Sequence, residues 1–381
     1  MRNIFGNQPV FGDNFHGREE FVKQLVGILL SGNSFLLLGL RRIGKSSTVT
    51  EAIHQIKKKN KKVTTIELNC QNYKSIEDFY KELNLALPRS WQQQLRKALK
   101  TSKRIPGKLI DFITDHVEEV DLEYIGSVKL RKDAINYSNP IKEEITRFFS
   151  KQEEQIILFV DEQKNQHTTA LEIESILTIL RSWREAGVAQ GICGSINLHI
   201  QLEQLGISRK LLAGVNTQLL PEYTREEAHG LINALAISGQ ISLRPVDIIA
   251  MLDLMPDYIP QFIQYFFFVI KTHWNGDITH IVPLYEKYVY PTIVRDFEYQ
   301  FNDRLSKFSR QHLPIVRQIF NMLLEKKALP EATILTEVDG EDGYHILLQL
   351  LNNELIILNE DQTYSFALHI VAQWWAKKKV S

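Results

Sequence analysis

The chain has 381 residues, too many for one small module and enough for two or three domains. Hydrophobic residues make up 44% and charged residues 24%, a globular balance that excludes wholesale disorder. Forty-five Lys and Arg against 45 Asp and Glu leave a formal charge of zero, so affinity for nucleic acid or anionic lipid would have to come from a local patch.

The start, Met1-Arg2-Asn3-Ile4-Phe5, shows no apolar secretory run. Two cysteines, Cys70 and Cys193, both in strand-like segments, predict a reducing compartment and a cytoplasmic protein. Ser34–Gly39 is a short apolar run ending in glycine, the pattern of a strand buried on both faces. Ser46–Ile56 reads as a helix, Lys57–Lys62 as a turn, and Val63–Cys70 as a β-branched strand. From Ser75 to about Gln155 the pattern is helical and more polar, broken at Pro88 and Pro106-Gly107. Ile156–Glu162 is the next strand, tipped with acid; a helix over 168–187 and strands at Val188–Ser195 and Val215–Leu220 follow. Strands alternating with helices predict an α/β fold on a parallel sheet, with ligands at its carboxyl edge.

Thr224-Arg225-Glu226-Glu227 is a capping box that opens an all-helical region running to about Leu305. Within it, Tyr258–Ile270 is the most apolar run; at 13 residues, broken by Gln261 and Gln264, it predicts a core helix rather than a membrane span. Two helices and a hairpin, Glu354–Asn359 and Thr363–Ala367 around Glu360-Asp361, predict a winged helix at the end. The expected domains are a core over 1–222 with a helical insertion near 75–150, a helical lid over 223–305 and a winged helix over 306–381.

Gly39-Leu40-Arg41-Arg42-Ile43-Gly44-Lys45-Ser46 fits G-x-x-x-x-G-K-[ST] at every fixed position, between a predicted strand and a predicted helix. Its glycines let backbone N–H groups wrap a β-phosphate at a helix N-terminus. Lys45 then stands between the β- and γ-phosphates, and Ser46 can ligate Mg²⁺. Asp161 ends five apolar residues, where a carboxylate holds Mg²⁺ through water, and Glu162 follows, where a general base orients the attacking water. Both acids are expected on the strand adjacent to the one leading into the loop.

Asn14-Phe15-His16-Gly17-Arg18-Glu19-Glu20 resembles the hhGRE box of STAND-class ATPases in the AAA+ superfamily. The loop, continued through Ser47, is similar to the GxRRxGKTS form of the predominantly archaeal ATPase domain (MNS-like clade), with serine for the commoner threonine. Ile192-Cys193-Gly194-Ser195 resembles that family's strand-four signature, which makes Ser195 or Asn197 the sensor residue. Arg209 falls where the family often carries an arginine, and Pro260 where its lid carries a proline, although Asp257-Tyr258 replaces the usual Gly-Gly. The resemblance implies that Phe15, Gly17, Arg18 and Pro260 embrace the adenine of ATP. It implies that Arg41, Arg42, Ile43, Gly44, Lys45, Ser46 and Ser47 bind its phosphates, and that nucleotide state sets the angle between lid and core. Lys45, Glu162 and Arg209 are the residues able to sense a γ-phosphate, Arg209 in cis or on a neighbour in an oligomer.

The expected activity is a slow or partner-stimulated Mg²⁺-dependent ATPase that switches between ATP and ADP states and engages another protein or itself. The alternative is an ATP-regulated DNA-binding protein resembling replication initiators or transposition regulators. Against it, residues 306–381 carry eight Lys and Arg against nine Asp and Glu, and the expected recognition helix, Tyr344–Asn352, holds no lysine or arginine. The basic stretch Arg96–Lys108 is followed by Asp115, Glu118, Glu119 and Asp121, which predicts a salt-bridged surface helix. His16 and His167 flank the expected site as loop residues, while Phe266–Phe268 and Trp374-Trp375 read as packing residues.

Overall fold

A computed structural model describes residues 9–60, 62–69, 75–114, 138–161, 169–295, 308, 311–338 and 340–380. The chain divides into two compact units, one of Glu20–Leu38 with Thr48–Leu219, the other of Met1–Glu19, Gly39–Ser47 and Leu220–Ser381.

The first unit is built on a parallel five-stranded sheet of β1 (Ser34–Gly39), β2 (Val63–Asn69), β3 (Gln155–Asp161), β4 (Ala189–Ser195) and β5 (Val215–Leu219), in the order β2-β3-β4-β1-β5. All five strands lie within a residue of where the apolar runs predict them. Their order could not be read from the runs, because hydrophobicity marks a strand as buried without naming its neighbour. β4 lies between β1 and β3, so Asp161 is on the next strand but one rather than the adjacent strand.

α1 (Glu19–Leu30) buries Val22, Leu25, Val26 and Leu29, and α2 (Lys45–Lys59) buries Val49, Ala52, Ile53 and Ile56. α2 runs through Lys57, Lys58 and Lys59, into the expected turn, because cations in a last turn complement the negative end of the helix dipole. Between β2 and β3 the chain makes α3 (Ile76–Ala86), α4 (Arg89–Thr101), α5 (Gly107–Thr114) and α6 (138–149), as the helical pattern predicts. α4 packs inward through Trp91, Leu95 and Leu99, one turn apart. Two of its outward cations, Arg96 and Lys100, pair with Asp111, and the following Arg104 pairs with Glu143. The expected acids at 115–121 lie outside the described residues. α7 (Ala170–Glu185) starts on a capping box of Thr169 and Glu172, and α8 (Leu198–Gln204) follows β4. Trp183 of α7, fully buried, stacks on Phe79 at 5.7 Å and meets Phe149 edge-on at 5.3 Å. Cys193 is buried in β4; Cys70 is outside the described residues.

In the second unit, α9 (Arg225–Gly239) begins on the predicted capping box. α10 (Pro245–Leu254), α11 (Pro260–His273) and α12 (Ile281–Leu284) follow, then a π-helical turn (Tyr285–Val289) and α13 (290–295). α11 buries Phe262, Ile263, Phe266, Phe267 and Ile270, but Phe268 is 57% exposed, because three consecutive residues cannot share one helix face. No helix among the described residues is long and apolar enough to cross a membrane.

The remaining elements are α14 (Leu313–Lys326), β6 (Ala328–Pro330), α15 (Glu331–Glu337), α16 (Gly340–Asn352), β7 (Ile356–Leu358), β8 (Thr363–Phe366) and α17 (His369–Val380). The three strands form an antiparallel sheet in the order β6-β8-β7. The hairpin is the expected one; β6 is too short to show as a periodic run. Trp374 and Trp375 are buried, with Trp375 edge-on to Phe320 at 5.1 Å, a packing role as read from the sequence.

Trp183→Ala should cost about 3–5 kcal/mol in denaturant unfolding, through lost burial and the cavity left behind. Trp183→Phe should cost much less, since the Trp183 indole N–H finds no acceptor among the described residues.

Candidate functional site

β1 ends at Gly39 and α2 begins at Lys45, so the glycine-rich loop spans a strand end and a helix start. Arg42 (φ +66°) and Gly44 (φ +102°) are in left-handed conformations that turn the loop back on itself. A Cβ at Gly44 would lie 3.1 Å from Arg18 Nη1, so glycine is required there by both backbone and space. The first turn of α2 carries no acidic residue to compete for an anion.

The loop's carbonyls are held by cations. Lys45 Nζ donates to Gly39 O at 2.7 Å and to Leu40 O at 2.9 Å. Arg18 Nη1 donates to Ile43 O at 2.6 Å, and its Nη2 to Pro221 O, also at 2.6 Å. Ser47 Oγ accepts from the Val10 N–H, and the Arg41 N–H donates to Glu354 Oε2 at 3.1 Å. Ser46, half-buried, supplies a hydroxyl in the same turn.

Arg18 is only 5% exposed, and its guanidinium lies 4.4 Å from the Tyr223 ring centroid. Burial lowers its pKa, against the pull of Tyr223, Glu227 and Glu222. The approach is made by Gly17 (φ +76°) and Arg18 itself (φ +64°); a Cβ on Gly17 would sit 3.3 Å from both Glu227 Cβ and Tyr223 Cζ. Glu227 serves twice, one oxygen accepting from the Thr224 N–H that it caps and the other from the Arg18 N–H at 2.8 Å. Tyr223 Oη donates to His16 O at 2.6 Å. Tyr223 and Glu227 are residues the sequence reading did not assign to the site. Glu227 was visible only as a cap, because its second oxygen is committed across 209 positions of chain.

Pro260 opens α11, with Cγ 3.9 Å from where a Gly44 Cβ would stand. Just before it, Asp257, 1% exposed, accepts from the backbone N–H groups of His369 and Ile370, both at 2.8 Å, and pairs with His369 Nδ1 at 3.0 Å. Glu222 accepts from the Tyr258 N–H. Burial and the Asp257 charge push Glu222 up to about 7, while Asp257 raises the His369 pKa.

Gly17, Arg18, Gly39, Arg41, Arg42, Ile43, Gly44, Lys45 and Pro260 thus gather in one unit, with Phe15 at the close of a 3₁₀ turn (Gly12–Asn14) in the same unit. Asp161, Ser195 and Arg209 belong to the other. Asp161, half-buried, ends β3 opposite Asn69 and Cys193; Glu162 and His167 lie outside the described residues. Ser195 ends β4, and its Oγ accepts from the Asn197 N–H and from Gln201 Nε2. Arg209, in a 3₁₀ turn (Arg209–Leu212), is 57% exposed and paired with Glu203 at 2.5 Å. Among the described residues no three His, Cys, Asp or Glu side chains gather to hold a metal ion. Mg²⁺ shared with phosphates needs only one or two protein ligands, of the kind a single hydroxyl or carboxylate supplies.

Residues 39–182, from the first glycine of the loop into α7, match the KAP family P-loop domain. The chain has the fold of a P-loop NTPase. Its fold is similar to that of the Walker-type ATPase PABY2304 of Pyrococcus abyssi, at 18% identity over 98% of this chain and 100% of that one, with a TM-score of 0.61. It is also similar to the ORC2 protein of Aeropyrum pernix in ADPNP–ADP complexes, at 14% identity over 100% and 99% of the two chains, with a TM-score of 0.55. At such identities the likeness is one of fold. No curated protein matches the chain.

Arg18→Ala should destabilise the protein by about 3 kcal/mol, because it strips the buried Ile43 carbonyl and the part-buried Pro221 carbonyl of a charged donor; thermal unfolding measures it, and Arg18→Lys should recover only part. For Glu222 the favoured folded form is the neutral acid. The stability it brings is complete below about pH 4.5 and lost as pH rises through about 7. The melting temperature of Glu222→Gln relative to the unsubstituted protein should therefore rise between about pH 5 and about pH 8.

Proposed function

We propose that this protein binds ATP with Mg²⁺ at the Gly39–Ser46 loop and hydrolyses it slowly, as a nucleotide-gated switch that engages another protein or a second copy of itself. The observation that carries the reading is the loop, whose carbonyls are tied by Lys45 and Arg18 while the acid-free helix start of α2 follows it. A loop so tied can offer amides to phosphate without orphaning its own acceptors. Lys45 is assigned to the β- and γ-phosphates, and Ser46 and Asp161 to Mg²⁺, which would supply charge neutralisation. Arg41, Arg42, Ile43, Gly44 and Ser47 complete the phosphate cradle. Glu162 is the base that orients water; Ser195 and Arg209 are assigned to sensing the γ-phosphate.

In this reading residues 1–222 form the ATPase core, 223–305 a lid and 306–381 a winged helix, in the manner of the STAND class. Pro260 beside Gly44 supports a lid that senses the loop. Phe15, Gly17 and Arg18 are assigned to the adenine side, with Arg18 also fixing the loop from behind. A protein partner is favoured over DNA because α16 begins with Glu341 and Asp342 and carries no lysine or arginine. The cations of α4 point the same way, since Arg96 and Lys100 are paired with Asp111.

Calorimetry with MgATP should show binding that Lys45→Ala weakens about 10- to 100-fold. Glu162→Gln should keep binding and lower turnover by about 10²-fold or more. Unchanged turnover in Glu162→Gln would overturn Glu162 as the base, and binding without turnover in the unsubstituted protein would leave a non-hydrolysing scaffold that uses ATP for stability.

A further inference from the structure

Glu354 lies in the turn between α16 and β7, over three hundred positions along the chain from the glycine-rich loop. Yet its Oε2 accepts the backbone N–H of Arg41, inside that loop, at 3.1 Å. The carboxylate is presented by an ordered turn. Glu354 is left-handed (φ +54°), its N–H returns to Leu351 O at 2.8 Å, and the Leu355 N–H returns to Leu350 O at 3.1 Å. The same C-terminal elements have a second anchor at the start of α17, where Asp257 accepts two backbone N–H groups. Asp257 stands three residues before Pro260, the residue packed towards Gly44. The elements from α14 to α17 are therefore tied both to the loop and to the segment leading into α11.

A carboxylate that accepts from a phosphate-binding loop uses the same chemistry as a phosphate oxygen: an anion on a backbone amide near a helix N-terminus. We propose that Glu354 is a built-in anionic plug, an autoinhibitory contact that competes with nucleotide phosphates for the loop. The proposal rests on the reading of the loop as a nucleotide site. A triphosphate brings several negative charges beside Glu354, so nucleotide binding repels the carboxylate and frees the turn, while α17 stays capped by Asp257. Linkage makes the effect reciprocal: whatever the carboxylate costs the nucleotide, the nucleotide costs the carboxylate contact.

The test is an equilibrium titration of the full chain with a fluorescent ATP analogue and Mg²⁺, for the unsubstituted protein, Glu354→Gln, Glu354→Ala, Lys45→Ala and the hairpin control Glu360→Gln. Circular dichroism checks that each is folded. Both Glu354 variants should bind about 5-fold or more tightly, with Glu360→Gln unchanged. In the unsubstituted protein, amide exchange at residues 354–356 should quicken when the analogue is bound. Equal affinity for the Glu354 variants, with binding lost in Lys45→Ala, would overturn the plug and leave the nucleotide site standing. Binding absent from every protein, or unaffected by Lys45→Ala, would overturn the site and the plug with it.

Discussion

A loop that offers its amides to an anion has to place its carbonyls somewhere, and here they rest on two cations. Lys45 takes the carbonyls of Gly39 and Leu40, and Arg18 takes that of Ile43. Backbone acceptors left buried without donors would cost as much as the loop could gain from a ligand. Arg18 is the less expected of the two. Its fork also reaches Pro221, just past β5, so one guanidinium joins the glycine-rich loop to the segment that leads into the helical region. The left-handed Gly17-Arg18 step, the Tyr223 ring and the doubly used Glu227 all serve to put that fork in place.

Beyond Pro221 the chemistry passes from cations to carboxylates. Glu222 holds the Tyr258 N–H and Asp257 holds the first N–H groups of α17. Partial burial, and then the charge of Asp257, disfavour the Glu222 carboxylate, and its proton preference is the consequence. Asp257-Tyr258 replaces the glycines expected before the lid proline. A glycine there has no side chain to cap α17, so the departure from the resembled pattern coincides with an added tie to the C-terminal elements.

The match to the KAP family P-loop domain covers the loop, β3 and Asp161 but neither Arg18 nor the carboxylate pair. The likeness to PABY2304 and to ORC2 extends over the whole chain as fold alone.

The five strands, the loop and the Thr224–Glu227 capping box were legible in the sequence, because each depends on local periodicity or on spacing within a few residues. Strand order was not, so Asp161 was expected one strand too near the loop. Nor could spacing show that Asp111 and Glu143 would pair with the basic stretch, that Phe268 would face solvent, or that Tyr223, Glu227 and Glu354 would reach towards Gly17, Arg18 and Arg41. Sequence alone determined where amides and charges are available, since that follows from residue type and local conformation. Which carbonyl or amide each charge meets was decided by the tertiary structure, because those partners lie up to 313 positions apart and only the packed chain brings them within hydrogen-bond reach.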